Sequence, residues 1–441
     1  MNLFKLSWKN ILYKPWATLL SIILFSLGVG LISLLFLLEK QLQDNFEKNL
    51  AGVDLVVGAK GSPLQLILSS MYHIDAPTGN ISLKEARPFL NPNHPLIEEA
   101  IPLSMGDNFR GFRIVGTLPK ILTLYDATLA SGKIWNRNFE VTIGSAVTQE
   151  LDLAIGDTFK SSHGLIEDDQ LEHDDINQDF EVVGILSPTG SVLDQLILTN
   201  TQTFWMVHDH QADETSEAIA ESEDQQEIDE VTNGEGEHHE HDHDGEDTLL
   251  PKSLLEEDED QEITSLLVRF KGRNFQALNM QRNINENTDL QAATPAIEIN
   301  RLFSLMNTGE QALRILAFVI IFVSGLSVFI SLLGSLRERR YELALIRVMG
   351  ARPRALFLLI ILEGILLAAI GFVVGIVLSH AGMHFLGTTL QSSYRYDFTG
   401  LIFLPREWFL LLGALVIGLL AAIIPAWQAS RTDISDTLSE S

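Results

Sequence analysis

Four histidines, His238, His239, His241 and His243, stand among acids in the run GEGEHHEHDHDGED, with His208 and His210 upstream. Imidazole and carboxylate donors at that density suit zinc and similar divalent ions, captured weakly by several groups at once. Residues 239–243, HEHDH, also satisfy the H-E-x-x-H spacing of zinc proteases. That chemistry needs a rigid helix showing both histidines on one face, which a glycine-flanked tract of low complexity does not supply. The bland alternative is a solubilising tether that happens to be rich in histidine. A second candidate is His73 with Asp75 in YHIDAPTGN, a pair able to ligate a metal or touch substrate, or simply to support a hydrogen-bonded turn. His380 and His384 share a helical face as a potential metal pair, against the reading of a boundary position without ligand. Glu363 is an acid within an apolar run, where a charge is costly and usually functional. No catalytic residue set emerges, and no intrinsic cofactor is expected. Without a G-x-x-x-x-G-K-[ST] loop the chain should not hydrolyse a nucleotide itself. With no cysteine it has no disulfides.

The elements around these residues are set by hydropathy. The chain has 441 residues, 46% of them hydrophobic, yet a net charge of -28. Four apolar runs, Trp16 to Leu38, Ile315 to Leu336, Ala355 to Ser379 and Trp408 to Trp427, resolve that conflict. At about 1.5 Å rise per residue, roughly 20 apolar residues cross a bilayer core, so all four qualify as spanning helices. The expected layout is an amphipathic surface helix over 1–14, a first span over 15–38, and an extracytoplasmic region over 39–314. A second span over 315–336, a basic segment over 337–354 and a third span over 355–379 follow. An outer loop over 380–407, a fourth span over 408–427 and a tail over 428–441 complete it.

Lys5, Lys9, Lys14, Arg337, Arg339, Arg340, Arg347, Arg352, Arg354 and Arg431 all fall on one side of that layout. Both termini are therefore expected in the cytoplasm and the large domain outside it, in a multi-pass inner-membrane protein. The first run is long for a cleavable signal, and Glu39, Lys40 and Gln41 follow it rather than a small-x-small site, so it reads as an uncleaved anchor. Gly364, Gly371 and Gly375 would permit close helix approach, as at a dimer interface.

The region between the first two spans reads as mixed α/β. Strand-like runs are Val53 to Val57, Phe112 to Val115, Glu140 to Ile143, Phe180 to Ile185 and Thr264 to Phe270, with helices over Leu83 to Phe89 and Ala146 to Leu153. Leu38, Leu42, Phe46 and Leu50 recur every four residues as a helical stalk ending near Gly52, and Ile299 to Leu313 forms a matching one. Residues 209–262 hold 23 Asp or Glu against Lys252 and read as a solvated, mobile insert. So acidic a chain gives no footing for nucleic acid.

The basic segment, RERRYELALIRVMGARPR, is the most distinctive part of the chain. Glu338 and Glu342 lie four apart, as do Arg339 and Leu343, so a helix there would set a charged face beside an apolar one. Gly350 should end that helix and Pro353 stop its continuation. A loop that merely satisfied the positive-inside bias would not need Leu343, Leu345, Ile346 and Met349 facing the cytoplasm.

Glu338-Arg339-x-x-Glu342-Leu343-Ala344-Leu345-x-Arg347-x-x-Gly350-Ala351 resembles the E-R-x-x-E-I-G-I-x-(x)-R-x-x-G-A signature of the FtsX/MacB-like permeases, membrane subunits of type VII ABC transporters. Pro425-Ala426-x-x-Ala429-Ser430-Arg431 with Leu438 is similar to that family's C-terminal pattern. Ile143-Gly144-Ser145-Ala146, Leu151-x-Leu153-x-Ile155-Gly156-Asp157, Val182-Val183-Gly184-Ile185, Thr189-Gly190-Ser191 and Asp194 resemble the MacB-type external domain. The resemblance implies four transmembrane helices with a large external α/β domain between the first and second. It also implies a non-catalytic permease, as a homodimer or beside a homologous permease. A cytoplasmic ABC ATPase of the MacB/LolD type would carry ATP and magnesium. Glu338, Arg339, Glu342, Leu343, Leu345, Arg347, Met349 and Gly350 would dock that ATPase and pass its motion outward, to a periplasmic adaptor or substrate protein. The competing reading, from the residues alone, is a membrane-anchored external module that binds zinc or signals, or an ABC system devoted to metal handling.

Overall fold

The computed structural model describes residues 3–13, 15–163, 179–207, 252–272, 275–394 and 398–431. These form two compact units, one of residues 45–303 and one of residues 1–44 with 304–441.

The first unit is built on a mixed sheet. Its strands are β1 (Leu55–Ala59), β2 (Ile81–Ser82), β3 (Ile97–Phe109), β4 (Phe112–Thr117), β5 (Leu129–Gly132), β6 (Glu140–Ile143) and β7 (Thr158–Phe159). The series continues with β8 (Ser162–His163), β9 (Phe180–Leu186), β10 (Leu196–Thr199), β11 (Glu262–Ile263), β12 (Ser265–Phe270) and β13 (Leu290–Ala293). The main sheet runs β13-β1-β12-β3-β4-β10-β6-β9-β5, with β7 on β9 and β8 on β3, while β2 and β11 pair separately. β10 lies parallel to β4 and β6 parallel to β9; the other pairings are antiparallel.

Two cores share this sheet. One gathers Leu55, Val57, Ile97, Leu266, Val268 and Ala292, and the other Phe112, Ile114, Val141, Ile143, Val182 and Ile197. Stacked rings of Phe109, Phe159 and Phe180 close the second. The β-branched and aromatic content of these runs suits strands buried on a pleated face. Lys252 to Glu262, which the sequence assigns to the acidic insert, is packed here. Leu254 is buried in the first core, Arg87 bonds Glu259 and the Glu257 carbonyl, and Glu262 pairs in β11. Further bonds hold that stretch despite its charge: the Leu83 and Lys84 amides donate to the Gln261 and Glu259 carbonyls, Gln202 to that of Lys252 and Trp205 to that of Glu262.

The second unit is helical. Its elements are α1 (Leu3–Tyr13) and α2 (Pro15–Asn49), whose last residues enter the sheet unit. Pro15 sits where a helix needs no amide donor, and left-handed Ala51 and Gly52 stop the chain beyond Asn49. In the sheet unit lie α3 (Pro63–Met71), α4 (Leu83–Leu90), α5 (Lys120–Leu124), α6 (Ser145–Leu151) and α7 (Phe275–Asn287). The remaining helices are α8 (Pro295–Glu338), α9 (Arg340–Val348), α10 (Pro353–Tyr394) and α11 (Arg406–Ser430). Among the described residues, α2, α8, α10 and α11 are long and apolar enough to cross a membrane.

Small residues set how closely these helices pack. A Cβ on Gly364 would stand 2.6 Å from the Ala422 Cβ, and one on Gly375 would stand 2.8 Å from the Ser26 carbonyl oxygen. Gly371 abuts Phe25. The glycines read as a dimer face are thus used within the chain, between α10 and its own neighbours. Gly418→Leu is expected to lower stability by about 1–3 kcal/mol, the cost of overpacking, because a Cβ there meets Ala368 at 2.5 Å. Gly413→Leu, in open space, should be near neutral in the same detergent melting experiment.

α10 also runs well past Ser379, where the sequence reading placed its end. Met383 is buried with Leu37 and Leu404, which gives the extra turns an apolar face to pack.

Candidate partner-docking helix and buried polar sites

α8 stops at Glu338, so the basic segment is not one helix: Arg339 is the joint and α9 a separate short element. At its far end the Met349 amide donates to the Leu345 carbonyl and the Gly350 amide to that of Arg347. Gly350 itself is left-handed, at φ 97°. Pro353 does not block α9 but opens α10, the role a proline plays at a first helical position.

The residues assigned to docking divide between two faces. Glu338, Glu342, Leu345, Met349 and Gly350 are exposed, and Arg347 is half-buried. Leu343 is 5% exposed, inside the bundle core, and Arg339 is 7% exposed. Both point inward because the break at Arg339 turns α9, which seats Leu343 and Ala344 against the bundle. Tyr341 and Val348, absent from the sequence-derived set, are exposed with Leu345 and Met349. Their spacing of four, seven and eight residues makes one apolar stripe, a periodicity that was available in the sequence.

Arg339 serves a buried site instead. Its Nη2 donates to the Asn10 carbonyl at 2.9 Å, and its Nη1 lies 3.8 Å from Glu363 Oε1. Charge from the α8–α9 joint thus meets Glu363 on α10 and the backbone of α1. Beside it is a cavity of about 20 Å³ lined by Asn10, Thr18, Ser331, Ser335 and Glu363, room for one water.

His380 is paired as well. Its Nδ1 lies 2.5 Å from the Gly400 carbonyl oxygen, and its Nε2 3.0 Å from Glu407 Oε1, while its ring stacks on Phe403. His384 lies one turn on, beside Gly400.

In the sheet unit, His73 and Asp75 are both left-handed, at φ 51° and 71°, in the turn after α3. Arg113 donates to the Asp75 carbonyl, and Asp75 Oδ1 accepts from the Ala76 amide. Burial, and then the Arg113 charge, push the His73 imidazole down to about 3 from 6.5. The folded state therefore binds less proton than the unfolded one. The stability His73 contributes is complete above about pH 6.5 and is lost as pH falls toward 3. Among the described residues no three His, Cys, Asp or Glu side chains are grouped to hold a metal. The tract holding His238, His239, His241 and His243 lies outside them.

The same turn grips the end of α2. Tyr72 Oη donates to the Phe46 carbonyl at 3.1 Å, and Phe46 packs on Tyr72 and Phe303. Asn49 Oδ1 accepts from the Val192 amide at 2.8 Å. Val192 lies within a turn in which Asp194 accepts from the amides of Thr189 and Gly190.

Comparison with known proteins bears on both units. Residues 18–233 match the MacB-like periplasmic core domain, and residues 314–434 match the FtsX-like permease C-terminal family. No curated protein matches the sequence. A crystallised domain assigned to a permease protein of Porphyromonas gingivalis is similar at 11% identity, over 56% of this chain and 88% of that one. Its TM-score of 0.24 is too low to support any argument.

Proposed function

This chain belongs to the FtsX/MacB-like permease family, and from that premise we propose that it works by mechanical transmission. As a membrane permease subunit of an ABC transporter, it takes motion from a separate ATPase and delivers it to the sheet unit. Nucleotide chemistry stays in the ATPase, with ATP and magnesium. The proposed orientation puts α9 and both termini in the cytoplasm and the sheet unit outside, because the basic residues of α1, α9 and Arg431 fall on one side.

The observation that carries this reading is the exposed stripe of Tyr341, Leu345, Val348 and Met349 on a short helix flanked by Arg340, Glu342 and Arg352. Apolar side chains rimmed by charges of both signs suit a protein interface. Purifying the tagged protein in mild detergent should bring down a stoichiometric ABC ATPase. A preparation free of ATPase that carries bound zinc would instead favour the metal-binding module.

Transmission would follow α2, a continuous helix from Pro15 to Asn49. Its last turn is held through Tyr72 and Asn49. Tyr72→Phe with Asn49→Ala removes both bonds, each worth about 1 kcal/mol. ATP hydrolysis by the complex is expected to continue. Nucleotide-dependent change in hydrogen exchange over 189–199 should disappear, and its persistence would show that another path carries the motion.

A further inference from the structure

The polar cluster around His380 is built in a way that neither docking nor transmission requires. Glu407, in the first turn of α11, is 5% exposed; Ser33 of α2 is fully buried and Ser379 of α10 nearly so. Ser379 donates to Ser33 at 2.8 Å, and Ser33 donates to Glu407 Oε1 at 3.0 Å. That oxygen is the one facing His380 Nε2. Three helices are thus joined at the end of the unit remote from α9. Residues 398–405 cross over the join, with Gly400 seated so tightly that a Cβ would overlap the His380 carbonyl.

Proton counting constrains this cluster. A carbonyl oxygen can only accept, so the bond to Gly400 requires a hydrogen on Nδ1. The hydroxyl hydrogen of Ser33 is already directed at Glu407. Contact between Nε2 and Oε1 then requires one more proton, carried either by the imidazole or by the carboxyl. Without it, a ring lone pair would face a buried carboxylate, and both would stay desolvated and unpaired.

Surrounding charges do not replace that proton. On α2, Glu39 takes Arg406 of α11 at 3.4 Å and Arg314 of α8 at 3.8 Å; Arg314 also pairs with Glu310, and both arginines flank the Phe36 ring. This quartet is neutral as a whole. Lys40 and Asp44 pair with each other further along α2. His384 lies one turn from His380 on α10, Glu363 lies more than four turns away on the same helix, and residues 398–405 carry no titratable side chain.

We propose that His380 and Glu407 form a proton-binding site whose occupancy keeps residues 398–405 closed over this end of the helical unit. Loss of the proton sets the Nε2 lone pair against the Glu407 carboxylate; the ring turns away to relieve that contact, withdraws its Nδ1–H from Gly400, and water reaches Glu407 and Ser33. The site does not depend on α9 or on an ATPase.

Hydrogen exchange read by mass spectrometry on the full chain in detergent tests this, from about pH 5 to about pH 9 with intrinsic rates divided out. Protection over 398–405 is expected to be flat at the acid end, then to fall about tenfold per pH unit, the slope of one linked proton. Glu407→Gln keeps a hydrogen-bonding side chain without the titration and should remove that slope, as should His380→Gln. Ser33→Ala leaves the pair intact and should retain it. A flat wild-type profile overturns the proposal, as does a slope surviving in either glutamine variant. If one of those variants fails to fold, the wild-type slope together with the other variant decides.

Discussion

An Arg339→Ala substitution is expected to destabilise the helical unit by about 3–5 kcal/mol, the usual cost of removing one member of a buried ion pair. Glu363 would be left 3% exposed without the guanidinium, and the Asn10 carbonyl would lose its donor. Glu363→Ala should cost a similar amount by stranding the arginine. Replacing both, as Arg339→Met with Glu363→Leu, should recover most of the loss, because the penalty lies in an uncompensated charge and not in the absence of the pair. Thermal unfolding of the detergent-purified variants measures all three. A neutral Arg339→Ala would mean that water reaches the pair in the working protein. Because Arg339 also fixes where α9 leaves α8, the double variant asks a second question: whether the joint needs the charge or only the volume.

Leu345→Asp combined with Met349→Asp should abolish co-purification of the ATPase while leaving membrane insertion and folding unchanged. Exposed at 45% and 72%, these side chains contribute little to the permease's own stability. Buried apolar anchors at an interface are each worth about 2 kcal/mol or more, so losing two should weaken binding by roughly a thousandfold. Leu343→Ala is the contrasting variant. It empties space in the bundle and should cost about 2–5 kcal/mol of stability, with loss of the partner only as far as the fold is lost. Arg347→Glu, at a half-buried position, should weaken association less than the double variant. Association unchanged in Leu345→Asp/Met349→Asp would refute the assignment of α9 as the docking element.

Much of the architecture is legible from local pattern. Four long apolar runs can only be spanning helices, since a bilayer leaves unpaired backbone groups no other solution. Glu140 to Ile143 is a strand over the span its residue types indicate. The family likeness rests on linear motifs of the same kind, such as those around Arg347 and Pro425.

Orientation of single side chains is not legible in this way. Arg339 and Leu343 sit in a stretch whose charge and periodicity read as an outward helix, yet a one-residue break at Arg339 turns both inward. Nothing local distinguishes that arginine from Arg337 or Arg340; its partner is Glu363, on another helix. Ser33, Ser379, His380 and Glu407 likewise become one cluster only when three helices meet. Sequence by itself determined which segments are spanning helices and which are strands, because those follow from burial and backbone satisfaction within the segment; the joint at Arg339 and the packing of 252–262 did not follow from it. Which charges pair inside and which remain for a partner was decided by tertiary structure, because pairing energy depends on groups from different helices arriving within about 4 Å in a medium that screens them poorly.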